Sequence, residues 1–316
     1  MRILVTGGLG LIGHNVIPRL HALGHTVVSV DIKTDYGILP KAELDYLMAE
    51  RIKKIPDSVV NFEIDICDAR AIDLLCTSNK FDAILHLASF PRQKVVNANP
   101  ALGSKVMSEG LINLLESAQR HNVKKFVYAS SSMVYGDFEN DIDEDYPCKP
   151  QGQYGIMKLA GEWLVKDYAR RTGMAYTIIR PSAVYGPLDV EDRVISKFVS
   201  NAIRGQTLKV RGENELLDFT YVDDAADGIC SALTLDIADN KTYNITRGSS
   251  HTLYQAAKLA VELAGKGTIQ LEPKDNDFPS RAALNIDRAR QDLGFDPKVD
   301  MEEGFRRYYA WLSQIL

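Results

Sequence analysis

The sequence predicts an α/β fold, in which a doubly wound parallel sheet carries helices on both faces and a smaller lobe follows it. Six short apolar runs rich in β-branched residues alternate with segments of helical periodicity. Strands buried on both faces read as continuous apolar runs, and strand–helix alternation implies right-handed crossovers between parallel strands. After Arg180 the alternation stops and glycine and proline recur, which indicates the second lobe. The predicted strands are residues 2–6, 26–31, 59–65, 82–87, 124–130 and 175–180.

The first strand leads into a glycine-rich turn, Gly7-Gly8-Leu9-Gly10-Leu11-Ile12-Gly13, and then into a predicted helix over residues 15–23. The spacing satisfies both Gly-x-Gly-x-x-Gly and Gly-x-x-Gly-x-x-Gly. Such glycines permit a tight turn, let backbone N–H groups approach a pyrophosphate, and let helix and strand pack closely. The anion then lies at the helix N-terminus. The turn is typical of a dinucleotide site, and a purely structural turn is the alternative.

Acidic residues at the ends of the second and third strands indicate where the rest of a dinucleotide lies. Asp31 stands 18 residues after Gly13, where a carboxylate accepts hydrogen bonds from the adenosine ribose hydroxyls. It would repel a 2′-phosphate, which favours NAD over NADP, while Lys33 nearby weakens that discrimination. Asp65 is expected beside the adenine or, as the alternative, at the cap of the helix that follows, where Asp68 also stands.

The connection between those two strands, residues 33–58, is longer than such connections usually are. A helix packed on the body of the protein is the first interpretation of this segment, and a subunit contact or a lid over the cofactor is the alternative. The interpretation rests on apolar residues at helical spacing, namely Leu44, Leu47, Met48, Ile52 and Ile55.

The fourth and fifth strands end at the carboxyl edge of the sheet, where open α/β folds bind ligands. A predicted helix over residues 111–120 connects them. Ser130, Ser131 and Ser132 follow the fifth strand, and a serine there can hold a reacting oxygen. His86 ends the fourth strand, and we expect it to be a packed histidine rather than a catalyst.

Tyr154 and Lys158 are four residues apart, which on a helix brings a phenol and an ammonium to one face. The ammonium and the positive nicotinamide ring of an oxidised cofactor stabilise the phenolate, so we expect the pKa of the tyrosine to be lowered. Such a tyrosine can accept a hydroxyl proton while the adjoining carbon gives up a hydride. Taken alone the pair is an ordinary surface pair, and its meaning comes from the serines and the glycine-rich turn.

The smaller lobe is expected to be interleaved with the sheet. A helix is predicted over residues 195–204, and the strand 242–246 is predicted to rejoin the main sheet. We therefore expect a dinucleotide-binding domain over residues 1–180, to which 242–246 returns, and a mainly substrate-binding lobe over 181–316.

Composition excludes several classes of protein. The chain has 316 residues, of which 45% are hydrophobic and 25% charged, and its net charge of −5 supplies no basic field for nucleic acid. The four cysteines form no CxxC pair, so neither a metal site nor a disulfide framework is expected. No stretch approaches ~18 apolar residues, and the first apolar run is too short for a signal peptide. We expect a cytoplasmic protein without nucleic-acid or membrane partners.

Six sequence blocks resemble those of the extended short-chain dehydrogenases/reductases, in the NAD-dependent nucleotide-sugar epimerase/dehydratase group, and they occur in the same order as in that family. The resemblance covers nearly the whole chain and implies a Rossmann fold, a nucleotide diphosphate sugar as substrate, NAD as cofactor and a homodimer. The blocks are Thr6-Gly7-Gly8-Leu9-Gly10-Leu11-Ile12-Gly13, His86-Leu87-Ala88, Ser130-Ser131-Ser132-Met133-Val134-Tyr135-Gly136, Tyr154 with Lys158, Arg180-Pro181-Ser182-Ala183-Val184-Tyr185-Gly186-Pro187, and Asp218-Phe219-Thr220-Tyr221-Val222-Asp223-Asp224.

The resemblance also implies roles for individual residues. The catalytic Ser or Thr of the family stands three residues before the Val of Val-Tyr-Gly, which implies this role for Ser131, with Ser132 as an assisting neighbour. The expected catalytic residues are Ser131, Tyr154 and Lys158. The expected cofactor contacts are Gly7, Gly10, Leu11, Ile12, Gly13, Asp31, Asp65, Ile66, Leu87, Ala88, Tyr154 and Lys158. The expected substrate contacts are Ser131, Ser132, Ser182, Arg193, Arg211 and Arg281.

Departures from the family pattern narrow the expected chemistry. Ser132 and Met133 stand where the dehydratases and decarboxylases have carboxylates, so both reactions are disfavoured. Ser182 replaces an Asn and Leu217 an Arg that contact the nucleotide diphosphate in many members, so Arg193, Arg211 and Arg281 are the candidate cations. Met107 takes the place of a further Asn, so the proton relay beside Lys158 is expected to differ.

The sequence therefore predicts an NAD-dependent nucleotide-sugar 4-epimerase that acts through a transient 4-keto sugar. The alternative within enzymes is a nucleotide-sugar C4 dehydrogenase or keto-sugar reductase with net redox chemistry. A non-catalytic, NAD-binding regulator is a remote alternative that the intact Ser131, Tyr154 and Lys158 disfavour.

Overall fold

The computed structural model describes residues 1–139, 141–189 and 192–316. Its main feature is a seven-stranded parallel sheet in the order β11-β6-β5-β4-β1-β2-β3. The strands are β1 (Arg2–Thr6), β2 (Thr26–Asp31), β3 (Val60–Glu63), β4 (Ala83–His86), β5 (Lys125–Ala129), β6 (Ala175–Pro181), β7 (Val184–Tyr185), β8 (Thr207–Arg211), β9 (Leu216–Leu217), β10 (Thr220–Tyr221), β11 (Lys241–Ile245), β12 (His251–Thr252) and β13 (Thr268–Glu272).

Helices lie on both faces of this sheet, as predicted. They are α1 (Gly13–Ala22), α2 (Lys41–Lys53), α3 (Ala69–Asn79), α4 (Gln93–Ala98), α5 (Pro100–Ser104), α6 (Gly110–Arg120), α7 (Gly152–Thr172), α8 (Val194–Ile203), α9 (Val222–Thr234), α10 (Leu253–Ala264), α11 (Asp287–Leu293) and α12 (Met301–Leu312). Among the helices of the described ranges, none has both the length and the apolar character needed to cross a bilayer.

Alternate side chains of β1 show how the two faces are filled. Ile3 and Val5 belong to a core cluster with residues of α1 and α9, whereas Leu4 belongs to a second cluster with residues of α3, α6 and α7. Because successive side chains of a strand point to opposite faces, a continuous apolar run serves both layers. The expectation of a doubly wound sheet is confirmed.

The smaller lobe has its own apolar core. Phe198 of α8, Leu208 of β8 and Phe305 of α12 are buried together with side chains from α10. The chain leaves the main sheet after β6, builds part of this lobe, returns to pair β11 with β6 in parallel, and then completes the lobe with α10 and α12. The division of the chain at residue 180 stays a prediction.

Helix α2 lies within the long connection 33–58. Met48 and Ile55 belong to the core cluster on the α1 face of the sheet, while Ile52 is exposed. The helix therefore packs on the body, as the first interpretation of this segment had it. Leu44 and Met48 also line the large cavity described below, so the same helix forms part of its wall.

Candidate active site

A cavity of about 870 Å³ runs from the glycine-rich turn past the end of the sheet into the smaller lobe. Its size and its position at the carboxyl edge of parallel strands are typical of a ligand site in an open α/β fold. Most of the predicted site residues line it, namely Gly7, Gly10, Leu11, Ile12, Gly13, Asp31, Asp65, Ile66, Leu87, Ala88, Ser131, Tyr154, Lys158, Arg193, Arg211 and Arg281. Ser132 and Ser182 are buried, and neither is among its lining residues.

Gly7 and Gly13 of the glycine-rich turn have no room for a side chain. Gly7 has φ +70°, and a Cβ there would lie 2.7 Å from the backbone nitrogen of Ala88. A Cβ on Gly13 would overlap the carbonyl oxygen of Gly7. Helix α1 begins at Gly13 without a side-chain cap, so no capping side chain competes with an anion at its N-terminus.

Asp31 is built into this turn as well as into the cavity wall. Its carboxylate accepts hydrogen bonds from the backbone N–H of Leu9 at 3.0 Å and of Lys33 at 2.8 Å. Burial raises the pKa of Asp31, and both hydrogen bonds oppose the rise. The ammonium of Lys33 pairs with Glu63 at 2.9 Å, so it is engaged away from the Asp31 carboxylate.

The hydrogen bonds at the start of α3 show whether Asp65 caps this helix or is free to contact the cofactor. Asp68 is the residue that caps this helix, since its carboxylate accepts from the N–H of Ala71 at 3.0 Å. Asp65 instead accepts from the N–H of Cys67 at 2.9 Å and lines the cavity. Its position therefore fits a contact with the cofactor.

Helix α7 brings Tyr154 and Lys158 to one face, next to Ser131. The Nζ atom of Lys158 lies 5.8 Å from the ring centroid of Tyr154 and donates to the carbonyl oxygen of Ala129 at 2.7 Å. Burial lowers the pKa of Lys158 to about 7. In the chain without cofactor burial also raises the pKa of Tyr154, against the expected lowering, and the opposing influences are Arg193, a hydrogen bond with Ser131, and Arg281.

A buried ion pair that the sequence reasoning missed holds this helix against the sheet. Glu162, one turn after Lys158, receives hydrogen bonds from Arg180 at 2.9 and 2.7 Å and from the hydroxyl of Ser130 at 2.5 Å. Arg180 also donates to the phenol oxygen of Tyr135 at 2.9 Å. The only signal in the sequence was the spacing of Glu162 from Lys158, which places both toward the sheet.

His86 is a packed residue, as expected. Its Nδ1 lies 2.7 Å from the hydroxyl of Thr6, and its ring stacks on Tyr128 with 5.8 Å between centroids. Burial lowers the pKa of His86 to about 3, so the ring is neutral. The charge of Lys158 lowers this pKa further, so the ring lies near the lysine.

The three candidate arginines occupy different places. Arg281 donates to the hydroxyl of Ser132 at 3.1 Å, and burial lowers its pKa to about 10. Arg193 donates to the carbonyl oxygen of Val184 at 3.0 Å and pairs with Asp189 at 3.3 Å. Both charges act on the Tyr154 phenol, so these two arginines lie at the reacting end of the cavity.

Arg211 lies farther from the reacting end, at the mouth of the cavity. It is half-exposed and pairs with Glu272 at 3.1 Å and Asp275 at 3.3 Å. Further cations line the cavity that the sequence reasoning did not single out, among them Arg92 and Lys94. These two pair with Asp192 at 2.8 Å and with Asp275 at 3.7 Å.

Comparison with known proteins agrees with this geometry. The profile of the NAD-dependent epimerase/dehydratase family matches residues 3–246. A putative UDP-glucose 4-epimerase from Methanocaldococcus jannaschii is 31% identical over 98% of this chain and 98% of its own. A mouse dTDP-D-glucose 4,6-dehydratase is 28% identical over 98% of this chain and 88% of its own. The structure of Thermus thermophilus UDP-glucose 4-epimerase complexed with NAD matches with a TM-score of 0.88, at 26% identity and full coverage of both chains.

The resemblance inferred from the six sequence blocks is thereby confirmed. A cavity that contains the glycine-rich turn, Tyr154 and Lys158 agrees with membership of this family. The chain belongs to the NAD-dependent epimerase/dehydratase family.

Proposed function

We propose that this protein is an NAD-dependent nucleotide-sugar 4-epimerase. The observation that carries the proposal is the position of Ser131, Tyr154 and Lys158 midway along one cavity, between the glycine-rich turn and the arginines of the second lobe. That order leaves a dinucleotide on one side of the reacting groups and a charged substrate on the other. Relatives described as 4-epimerases and as 4,6-dehydratases both occur, so the choice between these reactions rests on the residues.

The residues fit NAD as the cofactor. The turn at Gly7 and Gly13 excludes a Cβ, α1 begins uncapped, and the Asp31 carboxylate lines the cavity. When bound, NAD supplies reversible acceptance of a hydride. We assign the diphosphate of NAD to the start of α1 and its adenosine ribose to Asp31.

The chain itself moves one proton. Tyr154, as phenolate, accepts the proton of the sugar C4 hydroxyl while that carbon gives up its hydride, and the hydroxyl of Ser131 hydrogen-bonds the same oxygen. The guanidinium groups of Arg193 and Arg281 stabilise the phenolate by their charge. Lys158, when protonated, adds a positive charge 5.8 Å from the centroid of the tyrosine ring. After the 4-keto sugar has turned, Tyr154 returns the proton as the hydride returns to the opposite face. Nothing is oxidised overall.

Two observations favour epimerisation over dehydration. Ser132 and Met133, which follow Ser131, have no carboxyl group for general acid–base work at the sugar. Ser132 is also fully buried and does not line the cavity, and its hydroxyl oxygen accepts a hydrogen bond from Arg281. Elimination of water needs a proton shuttle next to the ring, and these positions cannot supply one.

The substrate we propose is a nucleotide diphosphate sugar. Arg193 and Arg281 are placed to receive negative charge next to the sugar, and Arg211 is the cation at the mouth. Arg281 is the strongest candidate, because its buried guanidinium is hydrogen-bonded to a neutral hydroxyl and its Nε has no hydrogen-bond partner among the described residues. We keep Ser182 as a weaker candidate, since its buried hydroxyl lies outside the cavity wall.

The deciding experiment follows product and cofactor together. UDP-, GDP-, CDP- and dTDP-sugars are incubated with the enzyme, and the product is read by NMR while the absorbance of reduced nicotinamide is recorded. An isomeric sugar without lasting absorbance change supports the epimerase. Stoichiometric conversion of NAD would instead establish a C4 dehydrogenase or reductase, and a dehydrated sugar would establish a dehydratase.

Tyr154→Phe tests the proton step in the same assay. We expect turnover to fall at least ~100-fold with NAD still bound, because general acid–base catalysis contributes that much. Tyr254→Phe, at an exposed tyrosine, is the matched control and should keep full turnover. Full activity of the Tyr154 variant would contradict the assignment.

We further propose a homodimer through the outer face of α6 and α7. Ile112, Ile156 and Trp163 are exposed there, and Trp163 is 66% exposed. Trp163→Glu should convert a dimer measured by light scattering into a monomer, whereas a monomeric wild-type protein would contradict the proposal.

A cytoplasmic location is proposed on the four free cysteines and is checked by cell fractionation.

A further inference from the structure

Helix α2 buries a charged side chain that the proposed reaction does not use. Arg51 is 4% exposed and lines the cavity. Its Nη1 donates to the carbonyl oxygen of Leu9 at 2.8 Å, and its Nη2 and Nε donate to the carbonyl oxygen of Leu188 at 2.6 and 3.2 Å. A guanidinium is a rigid fork, so one side chain holds two backbone segments in a fixed relation.

The first of these segments belongs to the dinucleotide site. Leu9 lies within the glycine-rich turn, between Gly7 and Gly10. Its N–H donates to the Asp31 carboxylate while its carbonyl oxygen accepts from Arg51. The peptide groups on either side of Leu9 are therefore fixed by a residue that we assign to NAD and by one from α2.

The second segment belongs to the substrate side. Leu188 has φ +66°, a conformation that a leucine rarely adopts without support from its surroundings. Asp189 follows it and pairs with Arg193, whose charge favours the phenolate of Tyr154. The three hydrogen bonds of Arg51 thus join the turn that receives the cofactor to Leu188, whose neighbour Asp189 is the ion-pair partner of Arg193.

We propose that Arg51 is a positioning residue that couples occupancy of the dinucleotide site to binding of the nucleotide sugar. The glycine-rich turn with NAD bound would move less than the empty turn, and Arg51 would pass this restraint from the carbonyl of Leu9 to that of Leu188, next to the Asp189 that pairs with Arg193. Without the fork the two sites bind their ligands independently. This inference rests on the proposed function for the identity of the second ligand.

The coupling is measured with UDP as the probe. The affinity for UDP is determined for the full chain free of cofactor and for the chain saturated with NADH, in wild type, in Arg51→Met and in Arg51→Lys. Couplings between sites are typically about 5–150-fold, and we expect a ratio in this range for wild type. We expect a ratio near 1 for Arg51→Met and an intermediate one for Arg51→Lys, whose single ammonium lacks the fork.

Lys53→Met, at an exposed position on the same helix, is the matched control and should keep the wild-type ratio. An unchanged ratio in Arg51→Met overturns the proposal. Should that variant fail to fold, Arg51→Lys decides, and an unchanged ratio there overturns it equally. A second readout is the pH profile of turnover, because a loosened Arg193 should raise the apparent pKa of Tyr154.

A failure of the proposed function is distinguishable from a failure of this inference. If wild type binds NADH but no nucleoside diphosphate, the proposed substrate is wrong and the role of Arg51 is decided by hydrogen exchange. We expect NADH to slow exchange in the peptide covering residues 185–189 of wild type and to leave it unchanged in Arg51→Met. Equal slowing in both proteins overturns the coupling.

Discussion

Replacement of Glu162 by glutamine removes one negative charge from the centre of the molecule with almost no change in shape. The side chains of Glu162 and Arg180 are 1% and 4% exposed, and three donors converge on the carboxylate. A glutamine oxygen at the Oε1 position still accepts from Ser130 and from Arg180 Nε. Its amide NH2 group then faces Arg180 Nη2, so two donors meet and the arginine keeps its charge without a counter-ion.

The size of the effect follows from burial. Breaking a buried ion pair by removing one partner costs about 3–5 kcal/mol, because the remaining charge stays desolvated. With an unfolding entropy of about 2.1 cal/mol/K per residue, the 316 residues give about 0.7 kcal/mol/K. We therefore expect Tm to fall by about 4–8 °C.

Differential scanning calorimetry of the cofactor-free protein measures this shift. Glu303→Gln is a matched control, since Glu303 also pairs with two arginines, Arg306 at 2.9 Å and Arg307 at 2.8 Å, but on the surface. Exposed pairs contribute about 0–1 kcal/mol each, so this control should shift Tm by no more than ~3 °C. Equal shifts for the two variants would refute the argument that burial makes the Glu162–Arg180 pair essential.

Two further predictions concern the cofactor site and the catalytic lysine. Asp31→Ala should weaken NAD binding by about 10–100-fold, because a hydrogen bond to a charged group contributes about 1.5–3 kcal/mol. Asp45→Ala, on the exposed side of α2, is the control. If titration finds equal NAD affinities for the two variants, the assignment of Asp31 to the ribose is wrong. Burial lowers the pKa of Lys158 to about 7 from 10.5, so between these values the unfolded chain binds the extra proton and the free energy of unfolding of the cofactor-free protein rises with pH. Lys158→Met should reduce this increase in the free energy of unfolding, which is measured by urea unfolding at about pH 7.5 and about pH 9.5. An equal increase in wild type and in the variant would mean that the lysine is not desolvated.

The sheet and the glycine-rich turn were predictable because their signals are local. The apolar residues within 82–87 favour burial on both faces of a sheet, and the strand Ala83–His86, which lies within this range, is buried throughout. The turn from Gly7 to Gly13 needs glycine for reasons of backbone geometry alone. Tyr154 and Lys158 share a face because helical spacing fixes it.

The contacts between distant parts of the chain were not predictable in this way. Arg51 and Leu188 are 137 positions apart, and nothing in the composition of α2 distinguishes a buried arginine from a solvated one. Glu162 and Arg180 meet across a helix and a strand that each look ordinary alone. The pKa of Tyr154 was expected to be lowered by the neighbouring lysine and the cofactor, but in the chain without cofactor burial raises it, and burial also lowers the pKa of the lysine.

The return of β11 to the edge of the sheet beside β6 has a consequence for how the two lobes can be separated. A chain cut after residue 180 would lose this strand and leave β6 as an open edge, with unpaired N–H and C=O groups and an apolar flank. Such an edge is a template for pairing with other chains. We therefore expect the first 180 residues alone to aggregate. We also expect the smaller lobe to be exchangeable between relatives only together with β11, because the chain passes through this strand of the main sheet between the two parts of the lobe.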